Sequence, residues 1–348
     1  MKYLSQGEKM NKITKLSTVA LALMLCVGCS ANKDNQKTKT EQPKQEKSIA
    51  KQKQEREAEK AMIAKGAIDL TKYKAKPIED YGQKIDVGDG KKMNIYTMGQ
   101  GKIPLVVFPG QSEISPRYAY KNLLDRLGKK YKIYTVEPLG YGLSDMTDKP
   151  RTIENITKEI HTALEKVGVK NFYLMAHSLG GIYGLNYAKT YSNDVKGFIG
   201  MDTSTPNMEG DGTTGESSAS TLKWAESIPE VDKKTNEQYL SIGAKKSGNK
   251  TERDKDRRVS DNLHKMEKVK FPKGMPAKYF LANESAEDIK MRKKIFPKLK
   301  SWEQQHIDLS EDPKDVSVET LDASHLIYHT QYKHMAKAID EWIQSHEK

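Results

Sequence analysis

Cysteine is nearly absent from this chain of 348 residues, and its two copies, Cys26 and Cys29, both lie close to the N-terminus. So few cysteines exclude a small fold held together by disulfide bonds. Because none follows residue 29, thiolate zinc sites and cysteine nucleophiles are excluded from the rest of the chain. Hydrophobic residues make up 36% of the sequence, which is enough for a sizeable core and excludes a wholly disordered chain.

The chain carries a formal net charge of +12, but this excess is unevenly distributed. Residues 1–66 hold 14 basic and 7 acidic side chains, whereas the remaining residues hold 45 and 40. More than half of the excess therefore belongs to the N-terminal segment, and the rest of the chain has no stripe of alternating basic and aromatic residues. We interpret the charge as a solvated, lysine-rich surface and expect no nucleic-acid partner.

The N-terminal segment has the pattern of an export signal. Lys12 and Lys15 precede an apolar run over residues 16–28, which is too short to span a bilayer but suits a signal peptide. A glycine followed by Cys29 resembles the cleavage site of bacterial lipoproteins, although Cys26 stands where that family has an aliphatic residue. The resemblance implies that Cys29 is lipidated and that the protein is anchored to the outer face of a bacterial membrane. The alternatives are a secreted protein and a retained anchor.

The sequence divides into a leader, a tether and a folded region. Residues 30–66 are rich in Lys, Gln and Glu, a composition that predicts a flexible tether after the signal peptide of residues 1–29. Residues 67–202 and 276–348 are predicted to form the core. Residues 203–275 are polar and interrupt its pattern, which predicts a helical cap or lid inserted into it.

The core alternates short apolar runs with amphipathic stretches. A hairpin is predicted at residues 85–96, and helices are predicted at 152–167, 180–191, 286–305 and 330–345. This alternation predicts an α/β fold, in which a mostly parallel sheet has helices on both faces. The strands are predicted at residues 103–108, 131–137, 172–176, 195–201, 277–282 and 316–321.

The most informative motif is Ala176-His177-Ser178-Leu179-Gly180, which lies where a strand gives way to a helix. It differs from Gly-x-Ser-x-Gly only in its first position, where alanine is the next smallest residue. In such a turn the serine hydroxyl is exposed above the sheet, and the N-terminus of the helix can stabilise an oxyanion. Ser178 is therefore the candidate nucleophile, and a serine that merely caps a helix is the alternative.

Four segments in the same order resemble the α/β-hydrolase family. In chain order, they are Pro109-Gly110-Gln111, the turn at residues 138–145, the turn around Ser178 at residues 176–181, which we call the elbow, and Ala323-Ser324-His325. The resemblance implies an α/β-hydrolase fold with Ser178 as nucleophile and His325 as its base. It also implies an oxyanion hole formed by the backbone N–H groups of Gln111 and Leu179. His329 and His334 lie nearby but fall within the following helical segment, and His177 is expected to pack beside the elbow.

The acid that completes the triad is less clear from the sequence. Most members of the family place it after the strand at 277–282. The expected position in this chain is Ser285, which is not acidic, but Glu284 directly precedes it and Asp288 follows three residues later. A minority, including haloalkane dehalogenases, place it after the preceding strand, where this chain has Asp202. We favour Asp202, with Glu284 and then Asp288 as alternatives.

These residues together predict a serine hydrolase that cleaves small-molecule carboxylic esters through an acyl-enzyme. No metal or cofactor is required for this chemistry. Dehalogenation is disfavoured, because in this family it uses a carboxylate nucleophile where this chain has Ser178. The alternatives are a peptidase, a thioesterase or a lipase of the same fold, or a catalytically silent binding protein at the cell surface.

Overall fold

The structure is a computed structural model that describes residues 66–208 and 224–347. The predicted signal peptide, Cys29 and nearly all of the predicted tether lie outside these residues, as does the segment 209–223 of the predicted cap. Within the two described ranges, no helix combines the length and the hydrophobicity that crossing a membrane would require.

A sheet of eight strands forms the centre of the fold, in the order β10-β9-β7-β6-β4-β5-β3-β2. Strand β3 runs antiparallel to its neighbours β2 and β5, and the other neighbouring pairs are parallel. Two short strands, β1 and β8, pair separately. The strands are β1 (Ile68–Asp69), β2 (Gln83–Asp86), β3 (Lys92–Met98), β4 (Ile103–Phe108), β5 (Tyr131–Glu137), β6 (Phe172–His177), β7 (Val195–Met201), β8 (Trp224–Ala225), β9 (Ala277–Ala282) and β10 (Val316–Leu321).

Helices cover both faces of this sheet, so its central strands are buried on both sides. Along β6, Phe172 and Leu174 pack into one apolar cluster, whereas Tyr173 and Met175 pack into the other. This explains why the central strands are nearly continuous apolar runs. The helices are α1 (Pro116–Ala119), α2 (Lys121–Leu127), α3 (Ile153–Val167), α4 (Gly180–Thr190), α5 (Lys233–Lys246), α6 (Lys250–Arg257), α7 (Val259–Met266), α8 (Asn283–Lys293), α9 (Trp302–Ile307), α10 (Ile327–Thr330) and α11 (Tyr332–His346).

Local signals in the sequence set several of these boundaries. Thr152 caps α3 by accepting a hydrogen bond from the backbone N–H of Asn155, and Gly168 ends the helix in the left-handed conformation. The predicted helix over 286–305 is wrong as a single element, because α8 and α9 are separate. Pro297 lies in the break, where it lacks a backbone N–H to continue a helix, and the Ser301 hydroxyl caps α9.

The segment between β7 and β9 contains helices α5, α6 and α7, which form what we call the cap. The chain preceding β2 is tied to α5 by hydrogen bonds. The Lys76 N–H donates to the Ser241 hydroxyl at 2.9 Å, and the Gln238 side-chain amide donates to the Pro77 carbonyl at 2.9 Å. Together with the pairing of β1 and β8, these contacts hold the cap to the start of the folded region.

Candidate active site

The candidate residues converge at one edge of the sheet, where the parallel strands end. Ser178 follows β6, Asp202 follows β7 and His325 lies in the loop after β10. Because β6, β7, β9 and β10 are successive neighbours in the sheet, their carboxyl ends bring these remote side chains together.

Ser178 lies on a tight turn between β6 and α4. Its φ is 48°, in the left-handed region that residues with side chains rarely adopt. The turn is held in place because the Ser178 N–H donates to the Met201 carbonyl at 3.3 Å and its own carbonyl accepts from the Ser204 N–H at 2.9 Å. At Gly180 a Cβ atom would lie 2.5 Å from the Pro109 carbonyl oxygen, so a residue larger than glycine would displace the neighbouring loop.

The imidazole of His325 bridges the serine and a carboxylate. Its Nδ1 lies 2.6 Å from Oδ2 of Asp202, and its Nε2 lies 3.0 Å from Oγ of Ser178. Because an ionised carboxylate can only accept, Nδ1–H is the donor, which leaves Nε2 of the neutral ring to accept from the serine hydroxyl. The arrangement can therefore remove a proton from Ser178 and stabilise the imidazolium that forms.

Four donors satisfy the fully buried carboxylate of Asp202. Oδ1 accepts from the backbone N–H of Ala282 at 3.0 Å and from the indole N–H of Trp302 at 2.9 Å. Oδ2 accepts from the Ser285 hydroxyl at 2.5 Å as well as from His325. Burial raises the pKa of the Asp202 carboxyl, but the hydrogen bonds and the adjacent imidazole outweigh it and hold that pKa below its ordinary value.

The carboxylate that is hydrogen-bonded to the His325 ring is that of Asp202, not that of either alternative acid. Asp288 pairs with Arg292 within α8, with 3.2 Å between Oδ2 and Nε. The charge of Glu284 helps to raise the pKa of His325, but less than the hydrogen bond and the charge of Asp202 do. Ser285, where the family resemblance would place the acid, instead donates its hydroxyl to Asp202.

The His325 side chain is 46% exposed, so solvent reaches part of the ring. Desolvation of the ring lowers its pKa, whereas the hydrogen bond and charge of Asp202 raise it, and the charges of Glu113 and Glu284 add to this effect. The net result is a pKa above the ordinary value for histidine. The neutral form that can act as a base therefore requires a higher pH than a free imidazole does.

A second group of buried residues lies around His177, next to Ser178 in the chain. His177 lies beside the nucleophile, with its Nδ1 2.6 Å from Oε1 of Glu113 and its Nε2–H donating to the His325 carbonyl at 3.0 Å. The hydroxyls of Tyr120 and Tyr328 also donate to Glu113. Burial raises the pKa of the Glu113 carboxyl, but His177 and these hydroxyls bring it down to about 2. His177 thus links the elbow to the histidine loop.

The loop after β4 approaches the elbow closely. A Cβ atom on Gly110 would lie 3.0 Å from Cβ of Ser178, so glycine permits this approach. The Gly110 N–H donates to Oε2 of Glu113 at 2.6 Å. Among the described residues, the backbone N–H groups of Gln111 and Leu179 have no hydrogen-bond acceptor, and they lie in the two segments that flank Ser178. The two donors expected of an oxyanion hole are thus available.

Sequence reasoning missed several residues of this site. No motif in the sequence marks Trp302, Glu113 or Tyr328. Glu113 and Tyr328 lie close in sequence to Gly110 and His325, but only the assembled fold brings these two side chains together. A break in the helical pattern at Pro297 was the one local signal that could have drawn attention to Trp302. Within residues 66–208 and 224–347, no three His, Cys, Asp or Glu side chains converge in a way that could hold a metal ion.

Comparison with known proteins relates this chain to a large fold family. Residues 103–246 match the family described as the alpha/beta hydrolase fold. The protein YbdG of Bacillus subtilis is 38% identical over 128 residues, which is 36% of this chain and 39% of YbdG. A cis-3-alkyl-4-alkyloxetan-2-one decarboxylase of Shewanella oneidensis is 29% identical over 119 residues, 33% of this chain and 36% of the enzyme. This chain thus spans less than two fifths of either curated relative.

Solved structures extend the similarity over most of the chain. The epoxide hydrolase VrEH1 from Vigna radiata superposes with a TM-score of 0.56 at 15% identity, covering 76% of this chain and 97% of that enzyme. The chain therefore has the α/β-hydrolase fold, and the fold class predicted from the sequence is confirmed.

The position of Asp202 predicts how His325 should titrate. Asp202→Asn removes the negative charge beside the ring, and we expect the pKa of His325 to fall by about one unit or more. Glu284→Gln, the matched control, should lower it less, because only a charge acting at a distance is lost. Titration of the imidazole resonances by NMR measures both effects. A larger fall in the Glu284→Gln variant would contradict this assignment.

Proposed function

We propose that this protein is a serine hydrolase that cleaves small-molecule carboxylic esters through an acyl-enzyme. The observation that carries the proposal is the continuous hydrogen-bonded chain from Oγ of Ser178 through His325 to the buried carboxylate of Asp202. A hydroxyl is a weak nucleophile at neutral pH, and this geometry provides the base that it needs.

In this mechanism Ser178 attacks the ester carbonyl while Nε2 of His325 takes its proton. The carbonyl oxygen becomes an oxyanion, which the N–H groups of Gln111 and Leu179 stabilise together with the N-terminus of α4. His325 then gives its proton to the departing alkoxide. A water molecule, deprotonated by the same imidazole, hydrolyses the acyl-enzyme and restores Ser178. Asp202 holds the required tautomer and stabilises the imidazolium throughout.

The nucleophile distinguishes this proposal from other reactions of the fold. A serine forms an acyl-enzyme with an ester, whereas displacement at a saturated carbon by a carboxylate would need Asp or Glu at position 178. An ester also requires less activation of its leaving group than an amide does, so esters are the first substrates to test. Peptides, thioesters and lipids are the alternative acyl donors for the same machinery.

Ser178→Ala should abolish this activity. Without the hydroxyl no acyl-enzyme forms, and we expect hydrolysis of p-nitrophenyl acetate and butyrate to fall by roughly 10³-fold or more. A fluorophosphonate probe should label the wild-type protein and fail to label this variant. Ser317→Ala is the control and should retain full activity, because Ser317 lies near the start of β10, at the opposite end of that strand from the His325 loop, where its hydroxyl accepts a hydrogen bond from Lys278.

Folded wild-type protein that neither hydrolyses acyl substrates nor reacts with the probe would overturn the proposal in favour of a binding protein. Activity that survives Ser178→Ala would also overturn it, because another nucleophile would then be responsible.

The titration of His325 sets the pH dependence. The base must be neutral to accept the proton of Ser178, and its pKa lies above the ordinary histidine value of 6.5. We therefore expect kcat/KM to rise with pH and to reach half of its plateau above pH 6.5. Measurement of kcat/KM for p-nitrophenyl acetate from pH 5 to 9 checks this. A midpoint below pH 6.5 would contradict the net rise in the pKa of His325, because desolvation of the ring would then outweigh Asp202.

We also propose that Cys29 is lipidated and anchors the protein to the outer face of a bacterial membrane. This rests on the sequence pattern alone. Cys29→Ser should move the expressed protein from the detergent phase to the aqueous phase in Triton X-114 partitioning, while Cys26→Ser should stay in the detergent phase. If both variants remain in the detergent phase, a retained hydrophobic segment is the anchor instead.

A further inference from the structure

Helix α6 of the cap contacts the loop that carries the proposed oxyanion donor Gln111. The hydroxyl of Tyr141 donates to the Gly110 carbonyl at 3.0 Å, and the ammonium of Lys255 on α6 donates to that same hydroxyl. The Gln111 side-chain amide donates to Oδ1 of Asp256, also on α6, at 2.9 Å. One cap helix therefore holds both halves of the Gly110–Gln111 segment.

This contact brings a buried positive charge close to the peptide group. Tyr141 and Lys255 are 3% and 6% exposed, and the ammonium lies 4.4 Å from the centre of the Tyr141 ring. Burial, with the charges of Glu252 and Asp256, raises the pKa of Tyr141 well above its ordinary value. The phenol therefore stays protonated and donates to the Gly110 carbonyl.

The buried ammonium is poorly explained as a stabilising ion pair. Its contact with Asp256 is 3.9 Å long, at the limit for such a pair, and its hydrogen bond goes to a phenol instead. The charges of Glu252 and Asp256 both act on Lys255, but neither carboxylate accepts a hydrogen bond from its ammonium, and burying a charge without a directly bonded counter-ion costs stability. A methionine of similar length would fill the same space without that cost, so the charge itself calls for a role.

We propose that Lys255 and Tyr141 strengthen the oxyanion hole by polarising the Gly110–Gln111 peptide group. A donor on the carbonyl oxygen draws electron density from the amide nitrogen, which makes the Gln111 N–H a stronger donor. Lys255 increases this effect by polarising the Tyr141 hydroxyl. Both residues are positioning residues, since they act through the peptide and do not touch the substrate. This inference rests on the proposed function and adds a link from the cap to the reaction.

The test compares Tyr141→Phe, Lys255→Met and the double variant with wild type. For p-nitrophenyl acetate we expect each single variant to lower kcat by roughly 5- to 30-fold, a fraction of what a whole oxyanion donor contributes, with KM unchanged within twofold. The double variant should match Tyr141→Phe within twofold, because Lys255 acts through the Tyr141 hydroxyl. Lys250→Met is the control, since Lys250 lies on the same helix but pairs at the surface with Asp148.

A trifluoromethyl ketone separates the oxyanion hole from general damage to the site. Ser178 adds to its carbonyl carbon, the serine proton passes to His325, and the former carbonyl oxygen becomes an oxyanion. The affinity for this inhibitor should fall in both single variants by the same factor as kcat. Lys255→Arg, which keeps a positive charge, should recover part of the loss, and thermal unfolding verifies that each variant is folded.

Two outcomes would overturn the proposal that Lys255 and Tyr141 polarise the Gly110–Gln111 peptide group. In the first, the folded Tyr141→Phe variant keeps both kcat and inhibitor affinity within twofold of wild type. This result would contradict the proposal even if Lys255→Met does not fold. The other is a double variant whose loss is the product of the two single losses, because the residues would then act independently. Failure of the proposed function appears differently, as wild-type protein without turnover and without fluorophosphonate labelling.

Discussion

The carboxylate of Asp202 is held where water does not reach it, and four donors from separate parts of the chain converge on its two oxygens. They come from Ala282, Ser285, Trp302 and His325. A buried charge with any one of these partners missing would be costly. The positions of β9, α8, α9 and the histidine loop are therefore all constrained by one side chain. The backbone of Asp202 also has a positive φ of 43°, which residues with side chains adopt only where the surrounding structure holds them in place.

Because the donors to Asp202 come from separate parts of the chain, only some parts of the site could be predicted from the sequence. Ser178 and His325 lie in short motifs at strand ends, where local pattern and chain order are sufficient. The acid was different, because Asp202 and Glu284 both lie near ends of neighbouring strands. Trp302, which donates a hydrogen bond to Asp202, is 100 residues away from it in the chain. It begins α9, which the sequence pattern does not separate from α8. Periodicity predicts that a segment is helical, but it does not predict where tertiary contacts interrupt it.

Two groups of residues hold the segments around Ser178. Glu113 and His177 join the Gly110–Gln111 loop, the elbow and the loop of His325 through contacts between buried polar groups. Asp256, and Lys255 acting through Tyr141, join the Gly110–Gln111 loop to the cap. Since a displacement of about 1 Å can cost a large part of the rate, such double support is what a preorganised site needs. Neither group has a sequence signature, because its members are polar residues that become buried only in the assembled fold.

The choice between two strand ends for the acid follows from electrostatics. β7 and β9 are neighbours, so a carboxylate after either strand could reach the imidazole. Carboxylates at both places would repel each other and raise the pKa of one or both. A serine at position 285 avoids that repulsion and adds a donor to Asp202. The serine at position 285 is therefore part of what would allow Asp202, the proposed acid, to follow the neighbouring strand β7.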